Sequence, residues 1–113
     1  MLLNFQVKEE MVDLVQQEDK LTDVEYFKQI VNDMTSLFER KNANYGNSFS
    51  KLYNELGSIS GLVPLYNKLH RATNLIKGNK NDFESLEDTF IDLANYAIMN
   101  LIELRKERKS NDC

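Results

Sequence analysis

The chain has 113 residues, of which 42% are hydrophobic and 28% are charged, and its formal net charge is −4. This size and composition are typical of one globular domain and exclude a largely disordered chain, and the negative balance argues against general nucleic-acid binding. The only cysteine is Cys113, and no apolar run approaches the ~18 residues of a membrane helix, so we expect a cytoplasmic protein that does not bind membranes.

Helical spacing of apolar residues begins near the N-terminus. The spacing predicts a first helix over residues 4–18. Thr22 or Asp23 is a suitable N-cap for a second helix, which carries an apolar stripe from Phe27 to Phe38. The cluster Asn44-Tyr45-Gly46-Asn47 is typical of a helix end.

The middle of the chain predicts two further helices. Ser48 is expected to cap a short helix that Gly57 ends. Pro64 suits the first turn of the next helix, which Gly78 ends.

The last predicted helix is the longest, running from near Asp82 to about Arg108, and the polar tail 105–113 is expected to fray at its end. No segment alternates with a period of two, so no strand is predicted. The sequence therefore predicts an all-α fold, a compact bundle of four to five helices forming a single domain over residues 1–113. Several apolar stripes in so short a chain also predict a homo-oligomer.

Charge is distributed in three blocks. Residues 1–40 carry a net charge of −5, residues 41–81 carry +5 and residues 82–113 carry −4. One interpretation is that opposite blocks pair across the bundle. The other is that the basic middle binds an anion beside an acidic, metal-holding helix.

Oxygen-bearing side chains lie on one strip of the last predicted helix. At about 100° per residue, Glu84, Asp88, Asp92 and Asn95 fall within about 80° of each other. Carboxylates four residues apart repel each other, and a divalent cation such as Mg²⁺ would offset the repulsion. The alternative is a solvated acidic edge that the helix dipole favours.

Basic and aromatic residues offer complementary chemistry. Lys68 and Arg71 flank the apolar stripe of the preceding helix, where they suit phosphate oxygens or are simply surface bases with buried stems. Tyr45 can stack on a base or ribose, or belong only to a helix end.

Three segments together resemble a known family. Lys41–Phe49 (KNANYGNSF) resembles the K-x-x-D-Y-G-x-x-F motif of the phage and bacterial nucleotide modification associated domain, type 1. Asn67–Arg71 resembles its K-x-x-R segment, and Glu87–Tyr96 (EDTFIDLANY) resembles its E-D-T-x-x-D-L-A-N-Y helix. The resemblance covers residues from about 37 to 104 and leaves out the first 20 or so.

That family is in turn similar to the MazG-like all-α nucleoside triphosphate pyrophosphatases, which are helical oligomers that hold Mg²⁺ between pairs of carboxylates. The resemblance and the residue patterns together give the nucleotide-binding candidates Lys41, Asn44, Tyr45, Lys68, Arg71 and Asn95. They give the metal-binding candidates Glu84, Glu87, Asp88 and Asp92, with Mg²⁺ as the expected cofactor.

Two departures from the pattern bear on activity. The second predicted helix lacks the E-x-x-E pair of the pyrophosphatases, and Asn44 stands where the closer family usually has Asp. Both favour nucleotide binding over turnover, and no catalytic residue is assigned. Three functions remain open. The first is a phage-type nucleotide-binding protein, whose enzymatic version would be a Mg²⁺-dependent pyrophosphohydrolase. The second is a non-catalytic sponge for a host nucleotide signal, and the third is a helical protein-interaction module. If the chain is phage-encoded, the host cytoplasm is the expected compartment.

Overall fold

The computed structural model describes residues 20–45, 47–78 and 83–111, with the side chains of residues 43–45 outside the description. These parts contain four helices and no strand, so the predicted all-α fold is confirmed. The helices are α1 (Asp23–Tyr45), α2 (Ser48–Leu56), α3 (Ile59–Lys77) and α4 (Phe83–Asn111). The helix predicted over residues 4–18 lies outside the described residues.

The contacts of the chain divide it into two units, residues 1–36 and residues 37–113, and α1 contributes to both. The first unit contains the start of α1. There the Glu25 amide donates to Thr22 Oγ1 at 3.2 Å, and the Thr22 amide donates to the Glu25 carboxylate at 3.1 Å. This reciprocal arrangement is a capping box, so the predicted cap at Thr22 is confirmed.

Two helix starts differ from the sequence-based expectation. Ser48 is the first residue of α2 rather than its cap, because Asn47 takes the cap position. Pro64 lies in the second turn of α3, since that helix already begins at Ile59. Between Gly57 and Gly61 the backbone forms a tight turn, in which the Ser60 amide donates to the Gly57 carbonyl and the Gly61 amide donates to the Ser58 carbonyl. A helix that starts this early accommodates the proline by giving up one backbone hydrogen bond.

Helices α3 and α4 form the centre of the second unit as an antiparallel pair. The Asn100 side-chain amide donates to the Gly61 carbonyl at 2.9 Å, and Lys68 lies opposite Asp92. Residue numbers therefore rise on one helix as they fall on the other. Gly61, Ala72 and Thr89 are buried, and two of these three have a small side chain or none, which lets the two backbones approach closely.

Helix α2 adds aromatic packing to this pair. The Phe49 ring lies 6.2 Å from the Tyr96 ring of α4 and 6.3 Å from the Tyr53 ring, measured between centroids. Tyr53 is buried. Burial, and then the Glu107 and Glu103 carboxylates, raise the pKa of the Tyr53 phenol.

Polar groups inside the second unit are satisfied locally. Thr89 Oγ1 donates to the Ser85 carbonyl at 2.6 Å, and Lys106 donates to the buried Glu103 carboxylate at 3.3 Å. No buried side-chain nitrogen or oxygen in the described residues lacks a partner. Among the same residues, no helix is both long enough and apolar enough to cross a membrane.

Replacing Gly61 by alanine is expected to destabilise the fold by about 1–3 kcal/mol, because the added methyl would collide with a neighbouring side chain. A Cβ at this position would lie 2.9 Å from Asn100 Cγ and closer still to Asn100 Oδ1. Urea denaturation measures the change. Adding Asn100→Ala to Gly61→Ala removes the collision, so the double variant should lose less stability than the two single losses combined. Simple additivity would show that the contact between α3 and α4 is not tight.

Candidate functional site

Three helices of the second unit bring two lysines to one carboxylate. Lys68 Nζ on α3 lies 2.9 Å from Asp92 Oδ2 on α4, and Lys41 Nζ near the end of α1 lies 3.9 Å from Asp92 Oδ1. The Lys68 and Asp92 side chains are 30% and 26% exposed, and Lys41 is more open at 55%. The lysine–aspartate cluster, defined as Lys41, Lys68 and Asp92, is therefore partly buried yet accessible from solvent.

The charge of this cluster favours an anion. Two ammonium groups around one carboxylate leave a net positive charge, although the whole chain carries −4. An ammonium has three N–H donors, so Lys68 can bind a phosphate oxygen while it remains bonded to Asp92. The contacts also join the basic middle block of the sequence to the acidic last block, as the interpretation of pairing blocks requires.

Arg71 follows Lys68 by one turn of α3 and is exposed. It lines an open depression of about 510 Å³ together with Asn67, His70 and Asn74. The His70 ring lies 5.0 Å from the Tyr66 ring, which accounts for the position of the only histidine. This depression is bordered by a guanidinium and amide groups, which suit a polar ligand.

The remaining acidic candidates do not join the cluster. Glu84, Glu87 and Asp88 are exposed on the first turns of α4, and the structure records no ion pair for them within the described residues. In the same part of the chain, no group of three or more acidic, histidine or cysteine side chains is placed to hold a metal ion. The described residues therefore do not form a ready-made metal site.

The three asparagine and tyrosine candidates are placed to different degrees. Asn95 lies on α4 one turn beyond Asp92 and is partly exposed. The backbone of Asn44 and Tyr45 forms the end of α1, three and four residues beyond Lys41, but their side chains lie outside the description. All three are therefore neighbours of the cluster in sequence.

A second depression, of about 520 Å³, lies at the C-terminal end of α4. Glu103, Glu107 and Lys106 line it with Asn54. Two carboxylates against one ammonium make it a poor anion site, so size alone does not identify the functional site.

Sequence reasoning placed Asp92 among acids and missed its lysine partners. The contact joins residues 24 and 51 positions apart in the chain, which helical spacing within one helix cannot show. The signal that does point to it is the basic block beside the acidic block.

The fold and the cluster define an all-α protein with an accessible pair of lysines held by a carboxylate. The model of the family described as nucleotide modification associated domain 1 matches residues 41–104, which is more than half of the chain. The chain belongs to that family, as its three motifs predict, and the matched region includes the whole lysine–aspartate cluster. No curated protein and no solved structure matches the chain.

Proposed function

We propose that this protein binds a nucleotide through its phosphates at the lysine–aspartate cluster. The observation that carries the proposal is the convergence of Lys41 and Lys68 on Asp92 from three different helices. Phosphate oxygens accept strong, charge-assisted hydrogen bonds from such ammonium groups. Membership of a family described by nucleotide modification supports a nucleotide as the source of the phosphate.

The rest of the ligand would extend from the cluster toward the neighbouring polar groups. Arg71, one turn from Lys68, offers a forked donor for a second phosphate. Tyr45 would contact the base or ribose, and Asn44 and Asn95 would supply amide hydrogen bonds. In this arrangement the phosphates carry most of the affinity, and the nucleoside contributes selectivity.

Magnesium enters this proposal only as the ion that accompanies the nucleotide. Mg²⁺ is often held in proteins by one or two carboxylates together with substrate phosphates. Asp92 and Asp88, four residues apart on α4, are the carboxylates that could share such an ion, with Glu84 and Glu87 farther along the exposed acidic edge.

Binding without turnover is better supported than hydrolysis. A MazG-like pyrophosphatase would need a second carboxylate pair, and the described residues provide no group of three metal-ligating side chains. Sequestration of a nucleotide needs only the bases and their supporting carboxylate. The sponge function is therefore the preferred form of the proposal, and pyrophosphate hydrolysis is its alternative.

A thermal-shift screen of nucleoside mono-, di- and triphosphates and cyclic nucleotides, with Mg²⁺ and with EDTA, tests the proposal. A nucleotide at about 100 times its Kd stabilises the native state by about 2.7 kcal/mol, so the melting temperature should rise by several degrees. The matched nucleoside without phosphate should give little or no shift. Chromatography of the nucleotide after incubation then separates sequestration, in which it is recovered intact, from hydrolysis.

If no phosphorylated nucleotide shifts the melting temperature, the proposal is wrong. An interaction module, in which the acidic edge of α4 binds a basic partner, would then be the better account. If nucleoside and nucleotide give equal shifts, binding does not depend on the phosphates and the role given to the lysines fails.

A further inference from the structure

Helices α3 and α4 each carry an apolar stripe that the described residues of the chain leave uncovered. The stripe of α3 is 52–70% exposed at each of its positions, which are Ile59, Leu62, Val63, Tyr66, Leu69 and Ile76. The stripe of α4 is 46–76% exposed at Phe83, Phe90, Leu101 and Leu104. Large side chains this exposed, at regular helical spacing, indicate a surface that is buried in another state of the protein.

The two stripes lie on one side of the helix pair. Around the axis of α3, the centre of the stripe lies about 110° from the side marked by buried Gly61 and Ala72. Around the axis of α4, the centre of the stripe lies about 90° from the side marked by Thr89 and Asn100. Both angles run in the direction of increasing residue number. When an antiparallel pair is viewed from one end, the chain winds clockwise along one helix and anticlockwise along the other. Similar angles from the contact between the helices therefore place both stripes on the same side of the pair. Lys68 and Asp92 are displaced from the buried sides of their helices in the opposite direction, so their contact lies on the other side of the pair.

The stripes also match in height. Gly61 lies opposite Asn100 and Lys68 lies opposite Asp92, so Leu69 is level with Phe90, and Ile76 is level with Phe83. The apolar side, defined as these two stripes together, is continuous along about 26 Å of helix, at about 1.5 Å per residue.

We propose that the apolar side is the interface with a second copy of this chain. Ten large side chains exposed by about half or more present on the order of 1,000 Å², against about 800 Å² per partner in a standard interface. A two-helix layer with one apolar side is half of a four-helix bundle, and two copies complete it. The stripes contain no charged residue, which is typical of the cores of homodimer interfaces. Two chains of equal net charge can therefore meet there without bringing like charges together.

This arrangement leaves the lysine–aspartate cluster open in the dimer, because the cluster lies on the opposite side of the helix pair. Each copy then keeps its own anion site. Dimer formation does not require nucleotide binding, so an experiment can contradict either proposal without affecting the other.

Light scattering on a size-exclusion column tests the interface. The wild-type chain should have about twice the mass of the 13.2 kDa monomer at micromolar concentration. Leu69→Glu and Phe90→Glu should each give a monomer that keeps its helical circular dichroism, since both side chains are more than half exposed in the single chain. Leu56→Glu is the matched control, because Leu56 is 63% exposed on α2, outside the apolar side, and it should leave the dimer intact.

A wild-type monomer up to about 100 µM would overturn the proposal, as would glutamate variants that keep the wild-type mass. The milder Leu69→Ala covers the case in which the glutamate variants do not fold. It should raise the dimer dissociation constant about tenfold or more, which corresponds to the loss of one well-buried contact. An unchanged dissociation constant would show that the copies meet through another surface.

Discussion

Replacing Lys68 by glutamine is expected to lower the affinity for a phosphorylated nucleotide by about tenfold to a hundredfold. Lys68 is the more buried of the two lysines and lies closest to Asp92, so its ammonium has a fixed position from which to meet a phosphate. Hydrogen bonds to charged groups contribute roughly 1.5–3 kcal/mol each. Glutamine keeps a similar length and one hydrogen-bonding group but removes the charge. Isothermal titration with the nucleotide from the thermal-shift screen measures the change.

Lys77→Gln is the matched control for this prediction, because Lys77 is an exposed lysine in the last turn of the same helix. It should alter affinity by less than about twofold. The stability of Lys68→Gln should fall by less than about 1 kcal/mol, since a partly exposed ion pair contributes little. Equal losses of affinity in the two variants would mean that only the overall charge matters and that the cluster is not the site.

Replacing Asp92 by asparagine is expected to lower nucleotide affinity in Mg²⁺ but not in EDTA. In EDTA, the change removes the carboxylate that competes with phosphate for Lys68 and Lys41, so affinity should hold or rise a few-fold. In Mg²⁺, the wild type should bind more tightly than in EDTA, while the variant loses an anionic ligand of the ion. The magnesium-dependent gain should therefore largely disappear.

Asp88→Asn separates the two roles given to Asp92. Asp88 is exposed and contacts no lysine among the described residues, so its replacement should reduce the magnesium-dependent gain without strengthening binding in EDTA. The same loss of affinity for Asp92→Asn in both conditions would contradict the account, because Asp92 would then support phosphate binding without the ion instead of competing with phosphate for the lysines. Because Asp92→Asn removes the ion pair with Lys68, this variant should also be slightly less stable to unfolding than the wild type. Repulsion among the acidic side chains alone would predict no loss of stability.

Local signals in the sequence predicted the helices well. Thr22 and Glu25 form their capping box from residues three apart, and Gly78 follows the last residue of α3 as expected, its amide donating to the Asn74 carbonyl. These features depend on neighbours in the chain, so a single sequence contains all that is needed to see them. The start of α3 was placed too late because Pro64 is a strong local signal, and the turn at Gly57 outweighs it.

The tertiary contacts could not be predicted in the same way. Gly61 has no local signature of the close approach that Asn100 makes from 39 residues away. Helical spacing groups Leu69, Ala72 and Ile76 in one apolar stripe of α3, yet only Ala72 is buried among these three, together with Gly61 on the same helix. Small residues mark a buried helix side less visibly than leucine does, although they allow the tightest packing.

The site was predicted in part. Lys41, Lys68 and Asp92 were all among the candidates, and the structure brings these three together. Their grouping was different, since Asp92 was placed in an acidic metal strip and the lysines in a separate phosphate site. Spacing along one helix shows which side chains share a strip, but only packing between helices shows which charges meet.

A crystal structure of the complex with the nucleotide chosen by thermal shift tests the central claim most directly. The account predicts a phosphate oxygen about 3 Å from Lys68 Nζ, the distance of a charge-assisted hydrogen bond, with Lys41 and Arg71 on the same phosphate chain. Any Mg²⁺ should lie between the phosphates and Asp92. A nucleotide bound elsewhere on the chain, with the contact between Lys68 and Asp92 undisturbed and no phosphate near it, would contradict the account.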